Sequence, residues 1–298
     1  MARLFALLGN RADVAPRILA EEAPRRAPFR SDRPFVWGAG FYQGGDVLLR
    51  RRPMAAGEVS LTTMAGDLRT DCVIGVVEEA LREDGRTLQA DDAGPHRWRQ
   101  WLFAGTNIFP GGNLAGGDAR ARLLADLPPF LRASLRGDGD SELAFHVFLS
   151  FLHDAGMLQV ATIPTDAILA AIRGLVGQIE AVAAEFGGGS VGNVLVTDGD
   201  RVVAYHGADR TPDGRSARMI LRRWEGEGAA AALVADDFQL RAKVPSPSRL
   251  HFSLLVADDV SEDDGDARYT PVASRHVVVL TRDRGDEQRD RKDHQADP

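Results

Sequence analysis

One cysteine, Cys72, in 298 residues excludes an internal disulfide framework and any zinc site built from several thiols. A reducing cytoplasm is the compartment such a composition suits. The chain also lacks a basic stripe. Acidic and basic residues are interleaved and sum to a formal net charge of -7, so no continuous positive face is offered to a phosphate backbone, and nucleic acid is not an expected partner. Long apolar runs are absent as well. The opening Met1 to Gly9 has too few consecutive apolar residues for the core of an export signal, and no later stretch approaches the ~20 that cross a bilayer. Neither export signal nor membrane span is expected. The glycine-rich stretch around Asn113 lacks the Gly-Lys-Ser/Thr ending of a phosphate cradle and predicts a loop. His146 and His153 stand too far apart on one predicted helix for a metal pair, so neither metal nor cofactor is expected.

What is present is a chain with 44% apolar residues, enough for one large domain. Short apolar runs bounded by Gly, Asp or Asn predict strands at Leu4 to Leu8, Val36 to Tyr42, Val47 to Arg51, Cys72 to Val77 and Trp101 to Ala104. A tight hairpin is expected at Gln43-Gly44-Gly45-Asp46. The period then changes. Ala119 to Leu135 predicts a helix broken at Pro128-Pro129, and Ser141 to His153 a helix apolar nearly all round. After Pro164-Thr165-Asp166, expected to supply a cap and a rigid entry, Ile168, Ile172, Leu175, Ile179, Val182 and Phe186 recur in steps of four and three up to Gly187. Strands return at Gly192 to Val196, Val202 to His206, Met219 to Arg223, His251 to Ala257 and His276 to Leu280. Strands, then helices, then strands predict an α+β fold of antiparallel sheets with helices packed on them. Residues 1–281 are expected to form one domain, with an acidic loop at Glu262 to Asp266, and 282–298 a charged, disordered tail.

Several segments resemble the class II glutamine amidotransferases, enzymes of the N-terminal-nucleophile hydrolase fold. Met1-Ala2-Arg3-Leu4-Phe5 resembles the family's Met-Cys-Arg-Leu-Phe opening, and Trp37-Gly38-Ala39-Gly40-Phe41-Tyr42 its Gly-Trp-Gly-Ile-x-Tyr strand. Gly137-Asp138-Gly139-Asp140-Ser141-Glu142 is similar to its Gly-x-Thr-Asp-Ser-Glu motif. Val191 to Gly199 with Val202 to Tyr205 is similar to its Phe-Asn-x-Leu-Leu-Ser-Asp-Gly strand pair. The resemblance runs over nearly all of the chain and implies a four-layer αββα arrangement, two antiparallel sheets between helices.

In the family, removal of the methionine exposes a terminal cysteine whose thiolate attacks the glutamine side-chain amide, with the α-amine as local base. Ala2 stands at that position here, and a methyl group has no lone pair to offer. Cys72 is expected inside a strand and cannot take its place. Glu78 stands where the resemblance puts an arginine that clamps the substrate α-carboxylate. Two like charges at 4 Å repel by ~1 kcal/mol in water, where a bidentate guanidinium would have attracted. The family's oxyanion Asn-Gly corresponds to Thr106 and Asn107, and one lost donor of that kind costs ~100- to 1000-fold in turnover. Gly94-Pro95-His96 stands for the family's Thr-His-Pro-Phe. Asp140 alone is retained, at the position that implies binding of the substrate α-amino group; its other reading is as the cap of a helix starting at Ser141.

These departures point to a pseudoenzyme acting through binding, as a partner or regulatory subunit or as a homo-oligomer. Two carboxylates, Glu78 and Asp140, would suit a small amine or cationic ligand. The alternatives are altered acid-base chemistry through Glu78, Glu79 and Asp140, residual glutamine hydrolysis or amidotransfer, or a hydrolase triad of Ser141 with Asp140 and His146, which lacks a nucleophile elbow and a placed oxyanion hole. Trp98, Trp101 and Trp224 are expected in the core or lining a groove.

Overall fold

The computed structural model describes residues 2–80, 92–109, 117–207, 218–225, 250–258 and 267–282; the stretch around Asn113, the acidic loop and residues 283–298 lie outside them. The first half runs β1 (Ala2–Gly9), α1 (Ala15–Glu22), β2 (Phe29–Ser31), β3 (Phe35–Gln43), β4 (Asp46–Met54), β5 (Gly57–Val59), α2 (Leu61–Ala65), β6 (Cys72–Glu79), β7 (His96–Trp98) and β8 (Trp101–Thr106). Helices α3 (Asp118–Asp126), α4 (Pro129–Arg132), α5 (Asp140–Asp154) and α6 (Thr165–Phe186) follow. The chain returns to strands with β9 (Asn193–Thr197), β10 (Arg201–His206), β11 (Arg218–Glu225), β12 (His251–Asp258), β13 (Tyr269–Val272) and β14 (His276–Thr281). This is the mixed architecture with antiparallel sheets that the order of periods predicts.

One sheet has seven strands in the order β13-β11-β12-β1-β6-β3-β4, and a second has five in the order β14-β10-β9-β8-β7. Strand alternation divides most of the interior into three large apolar clusters, with a small fourth of Val36, Ala80 and Ala93. Leu4, Ala6, Leu8, Ile74 and Val76 of the larger sheet meet Leu102, Ala104, Leu195, Val202 and Ala204 of the smaller. The opposite face of the larger sheet, with Phe5, Leu7, Val73 and Val77, packs on Ile18 and Leu19 of α1 and Leu61 and Met64 of α2. The opposite face of the smaller sheet, with Trp101, Phe103, Val194 and Val196, is covered by α3 to α6. There Trp101 meets Phe148 edge-on at 5.5 Å between ring centres, and Phe103 stacks on Phe145 at 5.3 Å.

Local signals account for most element ends. Gly44 (φ 63°) and Gly45 (φ 88°) turn the β3–β4 hairpin, the two positive φ values of a type I′ turn. The break at Pro128-Pro129 separates α3 from α4, which ends at Arg132, short of the expected Leu135. Helix α5 is buried nearly all round from Ser141 to Ser150. Helix α6 buries Ile168, Ile172, Leu175, Ile179 and Val182 and ends at Gly187 with φ 76°. By length and composition α6 is apolar enough to cross a membrane, which an uninterrupted-run criterion overlooks, but its stripe lies in the core.

Three expectations are corrected. Phe186, the last residue of the α6 stripe, is exposed at the C-terminal end of the helix, outside the buried row. No side chain caps α6: Pro164 is the N-cap residue, and the Thr165 hydroxyl instead accepts from Arg201 at 2.7 Å. Helix α5 starts at Asp140 after Gly139, again without a side-chain cap, so Asp140 is the first helical residue and not the cap. Its charge, with that of Glu142, meets the positive end of the helix dipole.

Helix α1 carries a fully buried carboxylate, Glu22, matched by groups far along the chain. Arg222 pairs with it and also with Glu21 at 2.6 Å, and the Tyr269 hydroxyl donates to it at 2.7 Å. Removing one partner from a buried pair of this kind costs about 3–5 kcal/mol.

Candidate functional site

The two sheets are stacked face to face through Leu4, Ala6 and Ile74 on one side and Leu102, Ala104 and Leu195 on the other. At one end Cys72 Sγ lies 3.3 Å from Thr197 Oγ1, and Thr197 pairs with Leu102. Strands β6 and β8 therefore start together, and their far ends, Glu78 and Thr106, lie at the same opposite end of the sandwich. Ala2 is there as well, since β1 is antiparallel to β6 and Ala2 is the register partner of Glu78. On its other side Glu78 pairs with Val36. The positions at which the nucleophile and the substrate arginine are expected are thus direct neighbours on adjoining strands.

Glu78 is half-buried and shares the inter-sheet face with Ile74 and Val76. A methyl group placed on Gly94 would lie 3.1 Å from Val76, 3.5 Å from Glu78 Oε1 and 3.9 Å from His96 Cδ2, so these side chains gather around Gly94. Glu79, one residue on, points to the opposite face of the strand, into an open groove of about 700 Å³ lined by Arg30, Ser31, Asp32, Arg33, Gly57 and Glu58. Adjacent residues of one strand cannot serve one site, so Glu78 and Glu79 do not form a carboxylate pair.

Thr106 is buried on the inter-sheet face with Leu102 and Ala104 and pairs with Asn193. Asn107 is exposed and adopts φ 51°, a left-handed conformation that asparagine tolerates better than most residues. Its carbonyl accepts from Gly192 N at 2.8 Å, and a Cβ on Gly192 would come within 2.4 Å of the Thr106 carbonyl oxygen. Beside Thr106 is a pair that sequence reasoning did not single out: His206 Nδ1 donates to Asn193 Oδ1 at 2.8 Å, with the Gly207 amide on the same oxygen at 3.4 Å. Both side chains are buried, and both follow the alternation of Leu195 and Ala204 toward the inter-sheet space. The asparagine in an apolar strand and a histidine at the end of its hairpin partner were the available signals.

His96 is 4% exposed and, through its pairing with Phe103, faces α5. Burial above all, then the positive fields of Arg51 and His146, pushes its imidazole down to about 3, so it is neutral near pH 7. Its Nε2 has no hydrogen-bond partner among the described residues. Arg51 anchors the neighbouring backbone, donating to the Pro95 carbonyl at 2.6 Å.

His146 is buried and held below its ordinary value, chiefly by desolvation. Its Nδ1 donates to the Glu142 carbonyl at 2.8 Å, and its Nε2 lies 3.0 Å from the Ser134 hydroxyl, which is also 2.8 Å from the Leu131 carbonyl. The Ser141 hydroxyl is not among its partners. His153 is exposed against Phe130, two turns further along α5 than the buried His146. Among the described residues no three His, Cys, Asp or Glu side chains converge as a metal site would require.

Asp140 is half-buried in the first turn of α5. Two residues on, Glu142 folds back on the preceding loop and accepts from Arg136 N at 3.0 Å and Gly137 N at 2.8 Å. Arg120 donates to the carbonyls of Gly137 and Asp138. The loop that delivers Asp140 is therefore tied down from both sides. Cys72 is fully buried and its thiol is pushed up to about 12, first by desolvation, which suppresses the thiolate. Trp101 and Trp224 are buried, while Trp98 is half-buried beneath Arg99 at 4.6 Å.

No protein-family model and no curated protein sequence matches the chain. Among solved structures it is similar to a glutamine aminotransferase class-II domain protein from Silicibacter pomeroyi, at 14% identity over 94% of both chains with a TM-score of 0.49. It is also similar to a predicted glutamine amidotransferase from Pseudomonas aeruginosa, at 13% identity over 94% of this chain and 97% of that one, TM-score 0.43. A third similar structure is the glutamine phosphoribosylpyrophosphate amidotransferase of B. subtilis, at 12% identity over 94% of this chain and 47% of that one, TM-score 0.44. What this chain does chemically rests on its own residues.

Proposed function

We propose that this chain is a degenerate class II glutamine amidotransferase-like protein, of the four-layer N-terminal-nucleophile type, that no longer cleaves glutamine and acts by binding. The observation that carries this reading is the register of β1 on β6, with Ala2 directly opposite Glu78. In the aligned roles, the position that should supply a thiolate supplies a methyl, and its neighbour offers a carboxylate where an α-carboxylate would need a cation. Thr106 and Asn107 in place of the oxyanion pair weaken the same site further. Glu78 and Asp140 favour a small amine or cation over an amino acid carboxylate. The domain would extend over 1–281, and Cys72, inert and unpaired with another thiol, suits the cytoplasm.

The test is ammonia release from glutamine at neutral pH, run beside calorimetric titration with glutamine, glutamate and a simple amine. We expect no ammonia and no heat from glutamine, both from the natural chain and from Ala2→Cys, whose restored thiol would still face Glu78. Steady ammonia release from the natural chain would sink the proposal.

A further inference from the structure

Both sheets end on the same side of the molecule. Strand β4 is the last strand of the larger sheet and β7 of the smaller, and Arg97 of β7 donates to the Val47 carbonyl of β4 at 2.6 Å. In a chain of net charge -7, β4, β7 and the residue after it carry Arg50, Arg51, Arg52, Arg97 and Arg99 against one carboxylate, Asp46. Arg50 is engaged by Asp67 through two bonds of 2.8 and 2.9 Å; Arg52, Arg97 and Arg99 are exposed. Between these charges lie two of the few large apolar side chains on the surface, Leu48 at 40% and Leu49 at 38% exposure.

The hairpin register says which peptides of β4 face outward. The two-residue turn makes Gln43–Asp46 a hydrogen-bonded pair, so alternation turns the peptides of Leu48, Arg50 and Arg52 toward β3 and those of Val47, Leu49 and Pro53 away from it. Pro53, with no N–H to leave unmet, agrees with that assignment. Arg97 already takes the Val47 carbonyl, and Leu49 presents the next outward peptide.

A second copy of β4 is a poor occupant, because self-pairing would set arginine rows against each other. An extended acidic strand meets no such repulsion: its carboxylates on one face would meet Arg50 and Arg52, and its alternate apolar side chains on the other would cover Leu49. We propose that the β4 edge is the docking site for an extended, acidic segment of a partner protein, which adds to the sheet as a further strand. This rests on the binding role proposed above and names the chemistry of the partner.

The test is fluorescence anisotropy of a labelled Glu-Val-Glu-Val-Glu-Val-Glu-Val peptide titrated with the full chain. Beside it run the Lys-for-Glu peptide and a single-stranded oligonucleotide as a plain polyanion. The variants are Leu49→Pro, which removes one outward N–H from a position that need not disturb β3, and Arg52→Glu, with thermal melts as the check on folding. We expect the acidic peptide to bind, the lysine peptide not to, and each variant to weaken binding at least 10-fold at an unchanged melting temperature. Absence of acidic-peptide binding, equal binding by both variants, or an oligonucleotide that binds more tightly and ignores Leu49→Pro would overturn the proposal. Ammonia released by the same preparation would instead remove the catalytically silent reading and leave the docking edge standing.

Discussion

The two ends of the sandwich are built to different rules. At the end where β6 and β8 begin, polar groups stitch the sheets together: the Tyr42 hydroxyl reaches the carbonyls of Gln100 (2.6 Å) and Thr197 (3.0 Å), and Thr197 Oγ1 takes the Gly199 amide at 3.0 Å and meets Cys72. Arg282 closes this end by binding Asp71 and, at 2.6 Å, the Gly199 carbonyl. At the other end, around Ala2, Glu78, Gly94 and Thr106, the strands are held by glycine-tight backbone packing and a neutral buried histidine. One end joins the sheets through polar side chains, and the other relies more on close glycine packing, with Glu78 and Thr106 on the inter-sheet face.

Three experiments would break or sharpen this contrast. The largest effect is expected at Gly38, where an added Cβ would sit 2.2 Å from the Gly94 carbonyl oxygen and 2.9 Å from Pro95. Gly38→Ala should cost about 3 kcal/mol or more, because the obstacle is backbone and cannot swing away. A urea midpoint shifted by less than ~1 kcal/mol would show that the site end is looser than its packing indicates.

Next comes acid. His96 is held at about 3 in the folded chain against an ordinary 6.5, so the unfolded state binds the extra proton first. Its contribution is fully present above pH 6.5 and is lost as pH falls from there toward 3. Between pH 7 and pH 5 the natural chain should lose about 2 kcal/mol through this group. His96→Gln should show a correspondingly flatter dependence in urea unfolding at the two pH values; an unchanged slope would mean that water reaches the imidazole.

The smallest effect is expected at the stitched end. Thr197→Val keeps the shape but leaves the Gly199 amide without its acceptor, for a loss of about 1–2 kcal/mol. A loss above that range would indicate that this end is a single cooperative network rather than a set of separate bonds.

Much of the architecture could be read in advance where a local pattern and the tertiary environment agree. The 3–4 stripe of α6, the glycine pair of the β3–β4 turn and the proline break before α4 are of this kind. Helix α1 escaped because its buried face includes Glu22, whose charge is tolerable only beside Arg222 and Tyr269. No local window contains those partners. Strand β7 escaped for a related reason, since His96-Arg97-Trp98 has no strand alternation and is ordered by pairing with β8. At the proposed site, the residue types at positions 2, 78, 106 and 107 were legible in the sequence. Register, which makes Ala2 and Glu78 neighbours and sends Glu79 elsewhere, was not, nor was the His206–Asn193 pair formed across two strands.

The central place of β1 in the larger sheet also shapes how the chain is made. Its two flanking strands are β6 and β12, the latter some 250 residues downstream. At ~5–20 residues per second, one edge of β1 waits tens of seconds for its partner during synthesis. Through that interval one row of β1 backbone N–H and C=O groups lacks its sheet partner. Newly made chains should therefore depend on protection against aggregation during synthesis, and truncations that remove β12 should be recovered as insoluble material rather than as a smaller folded core.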